Sequence, residues 1–177
     1  MTGEWLLPGA TRDRQTITAE WNPANLTLID GVRLREVRNV PKANGHLTEI
    51  YRRDWVLDDA PVDQIFQVVL VPGGIGAWHA HGETIDRLFV IDGTARVVLY
   101  DARECSPTRG LVNEFKLSAL RPALVVIPPR VWHGVQNIGH EYARLLNVVD
   151  RAYDYSEPDH WRVPEDCPGI PYAFVRA

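Results

Sequence analysis

The sequence predicts an all-β domain, a barrel or sandwich of antiparallel strands, and three observations carry this prediction. Short runs rich in β-branched and aromatic residues recur from Ile29 onward. Glycine, proline, asparagine and aspartate cluster between these runs as turn signals. The periodicity of amphipathic helices is nearly absent, so the pattern indicates an all-β architecture with short connections.

Nine runs are predicted as strands because each combines β-type residues with flanking turn signals. In chain order they cover residues 32–40, 46–51, 65–71, 88–91, 95–100, 115–117, 124–127, 132–136 and 143–149. Asp92-Gly93 is predicted as a tight hairpin turn, since both central residues of such a turn need positive φ. The one predicted helix is short and follows Ser156, which can serve as its N-cap.

Size and composition indicate a single domain. The chain of 177 residues is long enough for one sizeable core. Residues 1–28 are predicted to form an irregular N-terminal arm, interrupted by Pro8 and Pro23, and residues 29–177 to form the domain. Two cysteines, Cys105 and Cys167, lie outside any CxxC pattern, which favours free thiols, with a single disulfide as the alternative.

Charge and hydropathy narrow the possible partners. The net charge is −4 and the basic residues are scattered, which argues against nucleic acid binding. The longest apolar runs, such as residues 68–71, are too short to cross a membrane. The first 14 residues lack the features of a secretory signal, so a cytoplasmic location is predicted. With nucleic acid and membrane partners disfavoured, a small molecule is the predicted partner.

Two spaced motifs place four metal-ligand side chains in the predicted barrel. They read Gly73-x5-His79-x-His81-x4-Asp86-x6-Gly93 and Pro128-x4-His133-x3-Asn137. His79 and His81 are two residues apart and share one face of a strand, while Asp86 and His133 arrive from other strands. Three imidazoles and a carboxylate suit a divalent Zn, Mn, Fe, Ni or Cu ion. The alternative is a set of hydrogen-bonded pocket residues without a metal.

The two motifs resemble those of the cupins, which implies an antiparallel β-jelly-roll barrel. Asp86 stands where cupins usually carry glutamate, with Glu83 in the adjoining turn as the alternative carboxylate. Arg130 replaces a usual glycine of the second motif, and Pro122 replaces its leading glycine.

Roughly residues 29–172 also resemble the dTDP-4-dehydrorhamnose 3,5-epimerase branch of the cupins. The matching stretches include Ile29-Asp30-Gly31-Val32, residues 44–49, residues 98–103 and 106–110, Ile127-Pro128-Pro129 with His133-Gly134, and Tyr153 before Glu157-Pro158. The resemblance implies a homodimer in which His79 removes a proton next to a sugar ketone and His133 is the second pocket histidine. It also implies substrate-binding roles for Glu49, for Arg87 at the family's active-site lysine, and for Tyr153 at its nucleotide-stacking tyrosine.

The chain departs from that branch at several catalytic positions. Asn147 aligns with the family's general-acid tyrosine, and Asn44 and Gly76 align with its two diphosphate-binding arginines. The aspartate that supports the base has no counterpart before Ala177. Arg87 directly follows Asp86, so in a regular strand it faces the other side.

The His79-Ala80-His81 sequence is also similar to that of the dTDP-keto-sugar 3,4-ketoisomerases, in which a His-x-His pair moves protons without metal. The sequence therefore predicts an epimerase- or isomerase-like enzyme that acts by proton transfer on a keto-sugar or a related carbonyl compound. A metal held by His79, His81, Asp86 and His133 would stabilise the enolate, so the roles of His79 as base and as ligand compete. No nucleotide cofactor is expected.

Two other function classes remain open, an oxygenase using Fe or Mn and a non-catalytic sugar-binding cupin. Trp78 and Trp132 are predicted to pack in the outer layer, because alternation turns them away from the neighbouring histidines. His46, His140 and His160 lie in or beside turns and are predicted to be solvated surface residues.

Overall fold

The computed structural model describes residues 5–19 and 23–175. The chain folds as an antiparallel β-jelly-roll, which confirms the predicted fold class. Its strands are β1 (Arg33–Glu36), β2 (Asn39–Lys42), β3 (Gly45–Thr48), β4 (Gln64–Leu70), β5 (Ile75–Ala80), β6 (Asp86–Asp92), β7 (Thr94–Tyr100), β8 (Val112–Ser118), β9 (Ala123–Ile127), β10 (Trp132–Asn137), β11 (Ala143–Val149) and β12 (Trp161–Arg162). One sheet has the order β1-β9-β6-β11-β4, and the other has the order β12-β5-β10-β7-β8. The hairpin β2–β3 forms a separate sheet.

The hydrophobic core fills the space between the two five-stranded sheets. Alternate residues of facing strands, such as Val97 and Leu99 of β7 and Leu145 of β11, are fully buried there. β9 is buried at all five positions because both of its faces are covered. Burial of these aliphatic side chains supplies the main driving force for closing the barrel.

The predicted hairpin at Asp92-Gly93 is wrong. β6 pairs with β9 and β11, whereas β7 pairs with β8 and β10, so the chain passes from one sheet to the other at this point. Gly93 alone has positive φ, at 74°, and a Cβ there would lie 2.6 Å from the Tyr142 carbonyl oxygen. Glycine is therefore required by close backbone approach rather than by a two-residue turn.

Two other local predictions are also wrong. The predicted strand over residues 32–40 is divided into β1, which pairs with β9, and β2, which pairs with β3. Residues 156–160 are not helical; the Ser156 hydroxyl donates to Asp154 at 2.6 Å instead of capping a helix. Within the described ranges the one helix is a short 3₁₀ turn, Arg53–Trp55.

A second apolar cluster lies outside the barrel, against β5 and β10. Trp78 is fully buried there, with the Phe174 ring 5.1 Å away and the Tyr172 ring 6.0 Å away. Trp132 packs against the same cluster. The C-terminal segment thus covers the outer face of β5, and the two tryptophans have the packing role predicted for them.

Three further features concern the cysteines, the N-terminal arm and the helix content. Both cysteines are unpaired, Cys105 exposed and Cys167 half-buried. The described residues before Ile29 form one isolated bridge, between Ile17 and Pro23, and no strand. Among the described residues, no helix has the length and apolar character needed to cross a membrane.

Candidate active site

A cavity of about 1140 Å³ lies between the two sheets and contains all four residues of the predicted ligand set. β4, β6 and β11 supply one wall, and β5, β10 and β12 supply the other. Apolar residues such as Val68, Leu88 and Val135 form part of the lining, and polar groups converge above them. This combination is typical of small-molecule sites in barrels.

Strand register brings the histidines together. His79 of β5 lies directly opposite His133 of β10, so both side chains point to the same face, and their ring centroids are 4.0 Å apart. His81 follows the end of β5, and its ring centroid is 5.7 Å from that of His133. One possible ligand atom from each of these three histidines lies within 4.8 Å of the others.

Asp86 is the buried carboxylate at the centre of the cluster, with 1% of its surface exposed. Its Oδ2 lies 3.2 Å from His81 Nε2 and 3.1 Å from His133 Nε2. Burial alone would raise the pKa of Asp86, but the contacts with His133 and His81 outweigh it and hold this pKa well below its usual range. The carboxylate is therefore ionised inside the barrel.

Backbone carbonyls fix the tautomers of two of these histidines. His81 Nδ1 lies 2.5 Å from the Asp159 carbonyl oxygen, and His133 Nδ1 lies 3.0 Å from that of Val131. A carbonyl can only accept, so each Nδ1 carries a hydrogen. In neutral rings both Nε2 lone pairs then point at the Asp86 carboxylate. Three electron-rich atoms facing one another require a shared cation, either added protons or a metal ion.

Asn147 holds the Asp86 carboxylate in place. Its Nδ2 donates to Asp86 Oδ1 at 2.6 Å, so it orients the carboxylate. An amide has no proton to give at ordinary pH, so Asn147 positions Asp86 and does not act as an acid.

Arg130 also contributes through its backbone. Its φ is 65°, in the left-handed region, which accounts for the glycine that cupins usually carry at this position. The Arg130 amide donates to the His81 carbonyl at 2.6 Å. This hydrogen bond fixes the backbone of His81 at the cavity wall.

His160 belongs to the site, although the sequence predicted it at the surface. Its ring stacks on His79, with centroids 5.1 Å apart and planes inclined by 25°, and lies edge-on to His81 at 4.9 Å. Burial, with the nearby His81 and Arg162, lowers its pKa to about 4. An isolated histidine beside a turn gives no spacing signal, so no sequence pattern identifies it.

Asp159 anchors the segment that carries His160. Its carboxylate accepts hydrogen bonds from the amides of Gly82, Glu83 and Thr84 at 2.5, 2.9 and 3.0 Å, and from the Thr84 hydroxyl at 2.9 Å. These donors hold the pKa of Asp159 at about 2, against the opposing effect of burial. The segment after β11 is thereby fastened over the cavity.

The other predicted site residues are divided between the cavity and the outside. Tyr153 lines the cavity and is half-exposed, with its amide bonded to Gln64. Glu49 is exposed, pairs with Arg52 and does not line the cavity. Glu83, the alternative carboxylate, lines the cavity and pairs with Arg151 at 2.6 Å.

Arg87 lies on the opposite face of β6 from Asp86. It is fully buried, and its Nε donates to Asp58 Oδ2 at 2.8 Å. Its guanidinium also lies over the Tyr51 ring, 5.5 Å from the centroid. The structure therefore does not bring Arg87 to the cavity, as the alternation of a regular strand requires.

Three other arginines do line the cavity, Arg130, Arg151 and Arg162. Arg162 of β12 lies directly opposite His79 in the sheet, so its side chain shares the inner face. The two arginine positions that the epimerase branch uses are occupied by asparagine and glycine here. Cationic groups thus reach this cavity from different strands and loops.

Comparisons with known proteins agree with this geometry. No family model matches the chain. A probable low-salt glycan biosynthesis epimerase of Haloferax volcanii is 35% identical over 139 residues, which cover 78% of this chain and 89% of the relative. The chain belongs to the cupin-fold sugar epimerases related to dTDP-4-dehydrorhamnose 3,5-epimerase.

Two further relatives support this placement among the cupin-fold sugar epimerases. The spore coat polysaccharide biosynthesis protein SpsL of Bacillus subtilis is 32% identical over 139 residues, covering 78% of this chain and 91% of the relative. The solved structure of a dTDP sugar isomerase from Desulfovibrio desulfuricans is 30% identical, with a TM-score of 0.76 over 82% of this chain and 91% of that one. The family and the epimerase class of enzyme predicted from the motifs are both confirmed.

Proposed function

We propose that this protein is an epimerase or isomerase of a nucleotide-linked keto-sugar and that it moves a proton next to the ketone. The observation that carries the proposal is the histidine cluster around the buried Asp86 in the 1140 Å³ cavity. Imidazoles are the side chains best suited to proton transfer near neutral pH. Two relatives, a probable glycan biosynthesis epimerase and a dTDP sugar isomerase, support the same class.

The reaction begins with loss of a proton from the carbon beside the carbonyl. The electrons of that C–H bond move to form an enolate, so negative charge develops on the carbonyl oxygen. Return of the proton to the other face of the same carbon inverts it. Where that carbon carries a hydroxyl, the ketone moves instead: the hydroxyl loses its proton and becomes the new carbonyl, while the former carbonyl carbon and its oxygen each gain a proton. Both outcomes need a base and a group that stabilises the oxygen.

The residues at the cavity rim favour a substrate that carries a nucleotide. Arg130, Arg151 and Arg162 offer guanidinium groups for a diphosphate, and Tyr153 offers a ring for a base. The cavity volume of about 1140 Å³ exceeds what a single hexose fills. A sugar carrying a nucleoside diphosphate matches the charge and size of this space.

We also propose that a divalent transition metal binds His79, His81, Asp86 and His133. The fit follows from the tautomers, because the Nε2 atoms of His81 and His133 present lone pairs to Asp86 Oδ2 at 3.2 and 3.1 Å. Ligand atoms roughly 2.1 Å from one ion lie about 3.0–3.4 Å apart, which matches these distances. Such an ion would act as a Lewis acid toward the carbonyl oxygen.

Solvent isotope exchange tests the proton-transfer function. The purified protein is incubated in deuterated water with a panel of dTDP-linked and UDP-linked 4-keto-hexoses, and deuterium in the sugar is followed by mass spectrometry. We expect incorporation beside the ketone with at least one of them. Absence of exchange across the panel would contradict the proposal, and oxygen uptake without exchange would favour the oxygenase class.

Elemental analysis tests the metal. We expect close to one transition-metal ion per chain in the wild-type protein and background levels in His81→Ala. His46→Ala is the matched control, since His46 is exposed and distant from the cluster in the sequence. A wild-type protein that takes up none of Zn, Mn, Fe, Ni or Cu after reconstitution would exclude the metal and leave added protons to share the cluster.

We propose a homodimer as well. β4 is the last strand of its sheet, and Ile65 and Val69 of β4 and Val71 just after it are exposed, at 60%, 47% and 55%. Val40 and Leu47 are exposed on the β2–β3 hairpin. Apolar stripes at a free strand edge are typical of association surfaces. Sedimentation equilibrium should give twice the chain mass, and a monomer at all concentrations would contradict this.

A further inference from the structure

We infer that Arg162 binds the phosphoryl group joined directly to the sugar and thereby determines which substrates the cavity accepts. The inference rests on the proposed function, since it takes the substrate to be a sugar that carries a diphosphate. It goes further by separating Arg162 from Arg130 and Arg151, which line the same cavity. Neither the spacing motifs nor the resemblance to the epimerase branch assigns a role to Arg162.

The pairing of β12 with β5 places Arg162 beside the histidine cluster. Arg162 lies directly opposite His79, and directly opposite residues on one face have Cβ atoms about 4.5–5.5 Å apart. Backbone hydrogen bonds between Val163 and Trp78, at 3.2 and 3.3 Å, extend this pairing by one position. A group bound to Arg162 would therefore lie close to the part of the cavity where the sugar reacts, as the phosphoryl group joined to the sugar must.

The guanidinium of Arg162 is not committed to another part of the protein. Within residues 5–19 and 23–175 it makes no hydrogen bond and no ion pair. The residue is solvent-exposed and lines the cavity, so a ligand can reach it. A planar guanidinium offers paired N–H donors that match two phosphoryl oxygens. Arg162 therefore has the donors and the charge that a phosphoryl group needs.

The other two arginines of the cavity already have partners. Arg151 donates to the Glu83 carboxylate at 2.6 Å, and this carboxylate would repel a phosphoryl group placed beside it. The Arg130 Nε donates to the Gly82 carbonyl at 3.3 Å. Both arginines can add to the attraction of a diphosphate, but each already shares its guanidinium with a protein oxygen.

Three carboxylates that line the same cavity are bound by donors other than Arg162. Asp159 accepts hydrogen bonds from three backbone amides, and Asp154 accepts from the amide and the hydroxyl of Ser156. Asp63 accepts from a backbone amide at 2.7 Å. None of them forms an ion pair with Arg162 in the described chain, so its positive charge stays available to a ligand.

Nucleotides that differ by one phosphoryl group test this assignment. dTDP and UDP carry the group that would join the sugar, whereas dTMP and UMP lack it, and isothermal titration calorimetry measures the binding of each. Arg162→Gln should weaken binding of the diphosphates by about 10–100-fold, the usual effect of losing hydrogen bonds to a charged group. Binding of the monophosphates and the metal content should stay within about twofold of wild type.

Deuterium exchange into the keto-sugars gives a second readout. In Arg162→Gln we expect KM to rise by about the same factor as the dissociation constant of dTDP, with kcat within about threefold of wild type, because binding common to substrate and transition state is lost. Arg162→Lys keeps the charge without the planar pair of donors and should recover only part of the binding. Arg144→Gln is the control, since Arg144 pairs with Asp92 and does not line the cavity.

Three results would overturn the inference. Arg162→Gln could weaken monophosphates and diphosphates equally, which would place Arg162 at the nucleoside end. It could bind the diphosphates within about threefold of wild type, or the wild-type protein could bind neither dTDP nor UDP. A wild-type protein that binds dTDP through Arg162 but exchanges no deuterium would contradict the proposed proton transfer alone, and the assignment of Arg162 would stand on the binding data.

Discussion

Asp86 and Asp101 are both buried carboxylates, with 1% and 0% of their surfaces exposed, but their partners differ in kind. Asp101 is surrounded by donors: the Arg103 Nε at 2.8 Å, the Ser106 hydroxyl at 2.5 Å and the Thr108 hydroxyl at 2.7 Å. Asp86 receives one such donor, from Asn147 at 2.6 Å, and otherwise faces the Nε2 atoms of two imidazoles whose Nδ1 hydrogens go to backbone carbonyls.

Asp101 has the partners of a carboxylate that stabilises the fold, whereas the partners of Asp86 suit the role that we propose for it in the reaction. The Asp101 group closes the turn between β7 and β8 and satisfies its own charge. The Asp86 group leaves polar atoms without partners, including Asn147 Oδ1 and His79 Nδ1 within the described chain. Unsatisfied buried atoms reduce stability and are tolerated where a ligand completes the set.

The largest effect is expected from a substitution of Asp86. Asp86→Asn removes the charge that gathers the histidines but keeps the size of the side chain. We expect exchange activity to fall by at least about 10³-fold, equivalent to about 4 kcal/mol, with metal at background. The free energy of unfolding, measured with urea, should change by less than about 1 kcal/mol. A large loss of stability instead would make Asp86 a structural residue like Asp101.

A smaller effect is expected for the neighbouring residue on the other face of β6. Arg87→Met leaves the Asp58 carboxylate without its partner, and we expect a loss of about 3 kcal/mol in the free energy of unfolding. Activity per folded molecule should stay unchanged, because Arg87 does not line the cavity. A tenfold rise in KM without loss of stability would instead support the substrate-binding role that the family resemblance implies.

The smallest effect is expected from a substitution of Asp101, and it should change the free energy of unfolding in a way that depends on pH. Hydrogen bonds from Arg103, Ser106 and Thr108 outweigh burial and hold the pKa of Asp101 below its usual range. Its contribution to stability is therefore complete above the unfolded pKa of about 3.9 and is lost as the pH falls. Asp101→Asn should lose about 2 kcal/mol at pH 7, and urea unfolding should show this difference shrinking below about pH 4. A difference independent of pH would exclude the charge as its cause.

The sequence predicts that His79, His81, Asp86 and His133 lie close together, because strand geometry is simple. The two-residue spacing of His79 and His81 and the alternation along β6 place their side chains on defined faces. The same alternation puts Arg87 outside the cavity, as the structure shows. Where the family resemblance and alternation disagreed about Arg87, the periodicity of the strand was the better guide.

Contacts between distant segments could not be predicted. Asp92-Gly93 has the composition of a hairpin turn, but local residues do not specify which strands pair, and the chain crosses between sheets there. The segment after Ser156 has helix-capping residues, yet Asp159 uses its carboxylate to bind amides 75–77 positions away in the sequence. His160 enters the site only through that anchoring, which explains why no motif includes it.

The anchoring by Asp159 links access to the site with the arrangement of its protons. The same residue that fastens the covering segment also accepts the Nδ1 hydrogen of His81 through its carbonyl. A ligand that entered by lifting this segment would release that hydrogen bond, and His81 could then exchange its proton between the two nitrogens. Closing the segment again would restore a single tautomer, so the His81 ring would report on whether the cavity is open or closed. Nitrogen-15 chemical shifts of His81 would therefore detect any such lifting of the segment in solution.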